Sequence, residues 1–321
     1  PRSSREEYLL DWDSMLQGVL YTPPLGIVFA LLLTGCAPGG RFSRPAVKVR
    51  IRPAVLLWAL AAIVLGCASL PPGGAPPPIR MLVYNIHAGK DGAGADNLPR
   101  VAEEMRRSQA DVVLLQEVDR GTERSGRVDQ MSVLSRLTGF HGAFGKTLDY
   151  QGGEYGIAIL SRWPISSDTL IRLPVQPLQQ RAGGSYEPRG VLHARVAAPG
   201  GALDVLNTHL DPSREDHYRL QEVAHVRTMA HRLRTANPRV VVGGDFNAEP
   251  GSAVIASMTA DGWQDAWTSC GVGEGLSYPG DAPIKRIDYL FLAPTLACHS
   301  AAVLETRASD HRPVLVVLRE G

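Results

Sequence analysis

The stretch Val240–Pro250, VVVGGDFNAEP, constrains the fold of this chain more than any other. Its apolar run is typical of a buried strand, and the two glycines that follow allow a close approach of backbone. Asp245 and Asn247 stand two positions apart, so an extended path would place their side chains on the same side. An acidic oxygen beside an amide at a strand end indicates either a binding site or a local turn.

Six apolar segments of the chain, including this one, carry polar side chains at their ends or on their faces. These side chains are Asn85, Glu117, His209, Asp245 with Asn247, Asp288, and Asp310 with His311. Each has an ordinary explanation when it is taken alone: Glu117 as a solvated strand end, His209 as a satisfied core histidine, Asp288 as the partner of an arginine. Their number is what favours a shared site.

Short strands outnumber helices along the body of the chain, and no internal repeat is evident. The longest helix is predicted over Arg214–Thr235, with Asp211-Pro212-Ser213 as its cap. Its inward face is predicted to comprise Leu220, Val223, Ala224, Val226, Ala230 and Leu233. A strand is predicted at Ala301–Glu305, shortly before the final strand. The pattern predicts an α/β (α+β) fold in one domain, with a two-layer sheet core and helices outside.

The distribution of charge argues against a protein that binds duplex DNA by neutralising its phosphates. The 321 residues carry a formal net charge of +1. The first 78 residues hold seven basic and four acidic side chains, which leaves about −2 on the body from Ile79 onward. Proteins that neutralise DNA phosphates usually show a basic surplus.

The amino-terminal region has the pattern of a targeting segment. A cationic cluster without acidic residues, Arg41–Arg52, precedes the apolar run Ala54–Leu65, which is too short to span a bilayer easily. The run leads into Val64-Leu65-Gly66-Cys67, which resembles the lipobox of a bacterial lipoprotein and predicts lipidation of Cys67. Cys36 is an earlier candidate, but the residues before it are net acidic. A short anchor helix with an incidental cysteine is the alternative.

These features predict three segments. Residues 1–67 form a signal or leader region, of which residues 1–46 need not belong to the mature product. Residues 68–78 form a Pro/Gly linker, and residues 79–321 form the folded domain. Within that domain, Cys270 and Cys298 could form a disulfide or remain two buried thiols, and the sequence does not decide between the two.

Eight motifs follow one another from about Ile79 to Leu318: YNIH, LQEVD, GIAILSRWPI, PRG, NTHLD, GGDFN, RIDYLF and SDHRPV. Together they resemble the endonuclease/exonuclease/phosphatase family, which includes DNase I, exonuclease III, neutral sphingomyelinases and inositol-phosphate 5-phosphatases. The resemblance implies a four-layer α-β-β-α sandwich of two packed mixed sheets, similar to DNase I. It also implies a divalent-metal phosphoesterase site across the edges of the sheets.

The resemblance implies a metal set of Asn85, Glu117 and Asp310, with Glu117 as the principal ligand. Carboxylate and amide oxygens suit a hard cation such as Mg²⁺, with Mn²⁺ or Ca²⁺ as alternatives. It further implies that His311 acts at the phosphate as a charged or proton-shuttling histidine and that Asp288 orients it.

By the same resemblance, Asp245 positions or deprotonates water and Asn247 bonds a phosphate oxygen. His209 stabilises the transition state or protonates the leaving oxygen, and family members differ over which of Asp245 and His209 is the base. Arg189 is a weaker candidate, as a phosphate clamp. Tyr155 and His87 are weaker still.

We therefore expect a monomeric, lipid-anchored phosphodiesterase or phosphatase, exported to the outer side of the cytoplasmic membrane. The anchor and the near-neutral body favour phospholipid head groups or small phosphoesters as substrates. A non-specific extracytoplasmic nuclease is the first alternative. The second is an inactive binding module on a catalytic scaffold, although the complete set of candidate residues argues against it.

Overall fold

The computed structural model describes residues 76–175 and 186–320. The predicted leader, with Cys36 and Cys67, lies outside the described residues, as does most of the linker. Within the described ranges, no helix is long and apolar enough to cross a membrane.

The described chain forms two sheets with helices on their outer faces. Its strands are β1 (Ile79–Asn85), β2 (Val112–Arg120), β3 (His141–Tyr150), β4 (Gly153–Ser161), β5 (Ile165–Arg172), β6 (Gly190–Val196), β7 (Leu203–His209), β8 (Val240–Asp245), β9 (Gln264–Asp265), β10 (Asp288–Leu292), β11 (Leu296–Val303) and β12 (Val314–Glu320). Its α-helices are α1 (Leu98–Arg107), α2 (Gln130–Thr138), α3 (His217–Ala236), α4 (Ala253–Met258) and α5 (Ala266–Cys270).

The two sheets are six-stranded and mixed. One has the strand order β11-β12-β1-β2-β4-β3, and the other has the order β5-β6-β7-β8-β10-β9. In each sheet one central pair is parallel, β1 with β2 and β7 with β8, while the other pairs are antiparallel. The predicted DNase I-like four-layer sandwich is confirmed.

Side-chain alternation along the central strands divides the core into layers. On β1, Met81 and Val83 belong to the cluster between the sheets, whereas Leu82 and Tyr84 pack in the layer that contains α1 and α2. On β8, Val241 points between the sheets and its neighbours face the layer of α3 and α4. Each such side chain stabilises the fold by about 1.5–3 kcal/mol, so the strands are fixed from both faces.

The strand register brings the candidate residues to one edge of the sandwich. The parallel pairing of β7 and β8 sets His209 beside Asp245. Strand β10 runs antiparallel to β8 and begins at the same edge, so Asp288 also pairs with Asp245. In the other sheet, the end of β1 at Asn85 pairs with Gln116 of β2.

Helix α3 departs from its prediction in its start and in its inward face. It begins at His217 instead of Arg214, its N-cap is Asp216, and the segment 211–213 forms a loop before it. Leu220 is 37% exposed, and Ala224 is also exposed. Arg219 and Glu222 are buried in their place because they bond to the backbone of the loop, which places a polar face at this end of the helix.

The sequence pattern missed edge strand β3 and misplaced edge strand β11, and it also missed the two-residue strand β9. Strand β3 was not predicted because it is an edge strand whose exposed positions interrupt the apolar alternation. Strand β11 spans Leu296–Val303, so the prediction of Ala301–Glu305 is wrong at both ends. In this edge strand only Leu296 is fully buried and the other positions are half-buried or exposed, so the apolar pattern marks its bounds poorly.

A disulfide joins Cys270 at the end of α5 to Cys298 in β11, with the two Cα atoms 5.8 Å apart. Helix α5 follows β9 at the edge of one sheet, and β11 is an edge strand of the other. The bond therefore links the two sheets at one side of the sandwich. Closing a loop of this size stabilises the fold by about 3–4 kcal/mol in the chain-entropy account.

Asn207 connects the two sheets through the interior. From β7 its amide nitrogen donates to the backbone carbonyls of Leu115 (2.8 Å) and Ala158 (2.9 Å), which belong to the opposite sheet. Its amide oxygen accepts a bond from Gln116 at 2.7 Å. Asn207 is fully buried, so its three hydrogen bonds tie the two sheets together away from water.

We predict that Asn207→Ala lowers the free energy of unfolding by about 3 kcal/mol, because it removes three buried hydrogen bonds between the sheets and leaves a small void. Urea unfolding followed by circular dichroism measures this loss as a lower midpoint with an unchanged slope. Thr228→Ala, on the exposed face of α3, is the control and should change stability by less than about 0.5 kcal/mol. Equal stability of the two variants would contradict the structural importance of the bridge.

Candidate active site

A cleft of about 650 Å³ lies over the strand ends at this edge of the sandwich. Most of the residues singled out in the sequence line it: Glu117, Arg189, His209, Asp245, Asn247, Asp310 and His311. Asn85 and Asp288 lie beneath this lining and bond to members of it. The structure thus brings the candidate residues of both sheets together.

The backbone at Glu117 is held in an uncommon conformation. Its φ is +55°, in the left-handed region, and the register between β2 and β4 shifts between Leu115 and Val118. Such an irregularity re-aims a side chain, and strained backbone of this kind clusters at functional sites. The turn of the chain directs the Glu117 carboxylate into the cleft instead of along the sheet.

Asn85 links Glu117 to Asp245 across the two sheets. Its amide nitrogen donates to the Glu117 carboxylate at 3.3 Å and to the Asp245 carboxylate at 3.1 Å. Its amide oxygen accepts from the backbone N–H of His87 at 3.1 Å. In this orientation Asn85 acts as a bridge between two carboxylates, with its nitrogen towards Glu117.

Asn247 reaches the cleft by a different path from the one its spacing suggests. Strand β8 ends at Asp245, and Asn247 has a φ of +47°, so the extended path does not continue. The backbone N–H of Asn247 donates to the Asp245 carboxylate at 2.9 Å, which closes a local turn. Its side chain donates to the carbonyl of Leu210 at 3.0 Å and still lines the cleft.

His311 is bonded to Asp288 inside the wall of the cleft. Its Nδ1 lies 2.9 Å from an Asp288 oxygen that also accepts a 2.6 Å bond from the hydroxyl of Ser277. The ring of Tyr278 packs against the imidazole with centroids 4.7 Å apart. Asp288 therefore holds the ring at Nδ1. The other ring nitrogen, Nε2, lies 3.7 Å from a carboxylate oxygen of Asp245.

The two histidines of the cleft have opposite electrostatic environments. Burial opposes a charged His311, but Asp288 and then Asp245 outweigh it and raise the pKa of His311 to about 10. Burial, with the charges of Arg189 and His311, holds the pKa of His209 well below its usual range. At neutral pH His311 is an imidazolium and His209 is a neutral imidazole.

Asp245 lies between these histidines, with one oxygen 3.6 Å from Nε2 of His209. Burial, followed by the charge of Asp288, raises the pKa of Asp245 to about 7. A carboxylate with such a pKa can both accept and release a proton near neutral pH.

Arg189 forms a buried part of the cleft wall. It is 2% exposed, and its guanidinium lies 2.7 Å from the carboxylate of Glu187, which is also fully buried. A buried guanidinium needs such a counter-charge, because an uncompensated charge is costly to bury. Glu187 therefore fixes the charge and the orientation of Arg189.

The remaining weaker candidates lie close to the same site. His87 Nδ1 is 3.8 Å from a carboxylate oxygen of Asp310. Tyr155 is 2% exposed, and burial together with the charge of Glu117 raises the pKa of its phenol well above the usual range. Both side chains lie behind or beside the carboxylates of the cleft.

The donor atoms of the cleft fit a hard divalent cation. Glu117 and Asp310 offer carboxylate oxygens on the cleft surface, and this is the chemistry that Mg²⁺ prefers. A second set among the described residues, Asp245, Asp288 and His311, has ligand atoms within 4.8 Å of one another. In that set the imidazolium of His311 already offsets one of the two carboxylates, so a cation that bound through His311 would have to displace its proton.

Several residues of the site were missed by the sequence pattern. Ser277 and Tyr278 lie in the segment between α5 and β10, where no periodicity marks them. Glu187 stands two residues before Arg189, and the motif PRG begins just after it. The short spacing of a glutamate and an arginine across a proline was the available signal for that pair.

The fold and this cleft define the class of protein. The profile of the Endonuclease/Exonuclease/phosphatase family matches residues 82–311, and the chain belongs to this family. Members of the family are hydrolases that act on phosphate esters.

Individual relatives are consistent with this assignment. The chain is 28% identical over 248 residues to the uncharacterized protein YbhP of Escherichia coli K12, covering 73% of this chain and 94% of that protein. It is 26% identical to an inositol phosphosphingolipids phospholipase C of Schizosaccharomyces pombe, over 54% of this chain and 42% of that one. The mannosyl-6-phosphatase Bt3783 of Bacteroides thetaiotaomicron aligns with a TM-score of 0.63 at 17% identity, over 75% of this chain and 99% of the other.

We predict that Asp288→Asn lowers kcat for a soluble phosphoester by on the order of 10²–10⁴-fold with little change in KM, because the imidazolium loses the carboxylate that stabilises it. His311→Ala should cost about as much, and the double variant hardly more, since the two residues act as a unit. Steady-state kinetics of the three variants measures this. Strictly multiplicative losses would show that the pair does not act together.

Proposed function

We propose that this chain is a divalent-metal-dependent phosphoesterase, a phosphodiesterase or phosphatase, that hydrolyses a phosphate ester by in-line attack of water. The observation that carries the proposal is the position of Asp245 among three polar partners. Its carboxylate accepts from Asn85 at 3.1 Å and lies 3.6 Å from His209 and 3.7 Å from His311. A proton acceptor thus stands between a neutral and a charged imidazole on the floor of an open cleft.

Binding of the phosphate group is assigned to the cationic and amide side chains of the cleft. The imidazolium of His311 and the guanidinium of Arg189 offer positive charge to phosphate oxygens, and Asn247 lines the same cleft. Asp288 and Glu187 hold these two cations from behind. Fixed charges of this kind stabilise the charge that develops on a phosphoryl group and need no reorganisation during the reaction.

Proton transfer is assigned to Asp245, and stabilisation of the leaving oxygen to His209. Asp245 orients the attacking water and accepts its proton, which its pKa of about 7 allows. His209 lies 3.6 Å from Asp245 and, as a neutral imidazole, stabilises the leaving oxygen by donating an N–H hydrogen bond, while solvent supplies the proton that this oxygen takes up. Glu117 and Asp310, with Asn85 behind them, would hold the cation, which when bound supplies positive charge to the phosphate and the leaving oxygen.

The substrate class is proposed from charge and relatives. The near-neutral body of the chain favours phospholipid head groups or small phosphoesters over long nucleic acid. One relative is named as a lipid phospholipase C and one neighbouring structure as a sugar phosphatase. Both names concern esters of small or lipid-borne alcohols, and we extend that substrate class to this chain, acting as a monomer.

The proposed location is the outer side of the cytoplasmic membrane, with the catalytic domain at 79–321 anchored through Cys67. The disulfide between Cys270 and Cys298 supports export, because such bonds persist mainly in oxidising compartments.

We predict that activity requires a divalent cation and that Glu117→Gln abolishes it without unfolding the protein, because one ligand charge is lost at constant volume. The measurement is hydrolysis of a panel with and without Mg²⁺: bis-aryl phosphodiester, aryl monoester, sphingomyelin, phosphoinositides and plasmid DNA. The variant His311→Ala serves as the inactive control. Full turnover in excess chelator would refute metal dependence, and activity on plasmid DNA alone would favour a nuclease.

We also predict that the mature protein is labelled by radioactive palmitate in a bacterial host and partitions with membranes, and that Cys67→Ser abolishes both. Several acyl chains bind a bilayer far more firmly than one. Cys36→Ser is the matched variant and should leave labelling unchanged. Labelling that survives Cys67→Ser but disappears in Cys36→Ser would identify the earlier cysteine as the lipidated one.

A further inference from the structure

Two cationic side chains stand at the rim of the cleft beyond the phosphate site. Arg214 and Lys285 both line the cleft, and both are exposed. Neither side chain forms an ion pair or a hydrogen bond with another described residue. The other arginines of the cleft, Arg189 and Arg219, are buried and paired with Glu187 and Asp216 respectively.

The loop that carries Arg214 is built to hold its shape. The buried Asp211 accepts from the backbone N–H of Ser213 at 2.8 Å and of Tyr186 at 2.5 Å. Arg219, from α3, donates to the carbonyls of Asp211 (2.8 Å) and Ser213 (2.5 Å). The backbone just before Arg214 is therefore fixed from both sides, and this is the reason that a buried arginine interrupts the apolar face of α3.

Lys285 is held close to the phosphate histidine. Its backbone pairs with that of Tyr278 through two bonds, from Lys285 N–H to the Tyr278 carbonyl at 2.8 Å and in the reverse direction at 3.1 Å. The Tyr278 ring packs against His311. Lys285 is thus paired through its backbone with Tyr278, the residue whose ring contacts the imidazole of His311.

The rim carries more free positive than negative charge. Asp216 is engaged with Arg219 at 2.6 Å, which leaves Glu249 as the exposed carboxylate of the rim without an ion pair among the described residues. Two unpaired cations therefore face one unpaired carboxylate. A cationic group on a substrate would meet net repulsion at this rim, and an anionic group would meet attraction.

We propose that Arg214 and Lys285 form an anion subsite that recognises a second anionic group, such as a phosphate, on the organic part of the substrate. This preference rests on the phosphoesterase activity proposed above. It favours phosphorylated head groups or bisphosphates over esters with a cationic tail such as choline. Because the backbone of both loops is held by hydrogen bonds, the entropy lost when the anion binds is mainly that of the two side chains.

Three phosphate esters that differ only in the tail test the subsite: ethyl phosphate (neutral), phosphocholine (cationic) and ethylene glycol bisphosphate (anionic). Their inhibition constants are measured against whichever aryl phosphate ester the protein hydrolyses. The bisphosphate should bind about 10-fold more tightly than ethyl phosphate, and phosphocholine more weakly than both. The differences in affinity among the three inhibitors should shrink as the salt concentration rises from about 20 mM to about 500 mM, because exposed charges are screened.

Matched variants separate the subsite from general electrostatics. The quantity to compare is the ratio of the inhibition constant of ethyl phosphate to that of ethylene glycol bisphosphate. Arg214→Gln and Lys285→Gln should each reduce this ratio by about 3-fold, and the double variant should bring it close to one. Lys285→Arg should retain the ratio. Arg232→Gln removes an exposed arginine near the carboxyl end of α3, away from the cleft, and should leave the ratio unchanged.

Different outcomes address the two proposals separately. Hydrolysis of aryl esters with equal binding of all three inhibitors would overturn the anion subsite and leave the phosphoesterase activity standing. Tighter binding of the bisphosphate that persists in the double variant would place the second charge on the metal site instead of the rim, and would also overturn the subsite. Absence of hydrolysis of every ester in the panel would remove the activity on which the subsite depends.

Discussion

The site depends on polar contacts that cross from one sheet to the other. Asn85 bonds a carboxylate of each sheet, and beneath it Asn207 reaches from β7 to carbonyls of β2 and β4. An apolar interface would let two sheets slide by fractions of an ångström, whereas buried hydrogen bonds are lost if the register changes. The distances between Glu117 and Asp245 are therefore set by the packing of the whole sandwich.

The chemistry of the cleft follows from how burial is combined with charge. His209 and His311 are both buried, and burial alone would keep both neutral. Two carboxylates near His311 reverse the effect, while the guanidinium of Arg189 reinforces it at His209. Histidine thus provides a fixed cation at position 311 and a neutral imidazole at position 209, and the carboxylate of Asp245 lies between the two rings.

The sequence was informative where a residue's role coincides with a strand end. The strand pattern predicted a sheet core with helices outside, and the resemblance of the motifs to a known family implied the four-layer sandwich. The meeting of Glu117, His209, Asp245, Asp288 and His311 could be expected because these side chains stand at the ends or on the faces of apolar strands. Edge strand β3 could not be predicted, because its exposed positions interrupt the alternation of apolar and polar residues. Likewise the polar face of α3 could not be foreseen, since Arg219 and Glu222 are buried to satisfy loop carbonyls and N–H groups, a demand that exists only in the folded chain. The direction of Asn247 depended on a backbone turn that spacing cannot show.

Strand β1 enters the sandwich at the end opposite the cleft. It runs from Ile79 to Asn85, so the chain arrives about 20 Å away from the catalytic edge. The entry point of the chain and the catalytic edge therefore lie at opposite ends of β1, so a tag placed directly before Ile79 would attach away from the residues that line the cleft.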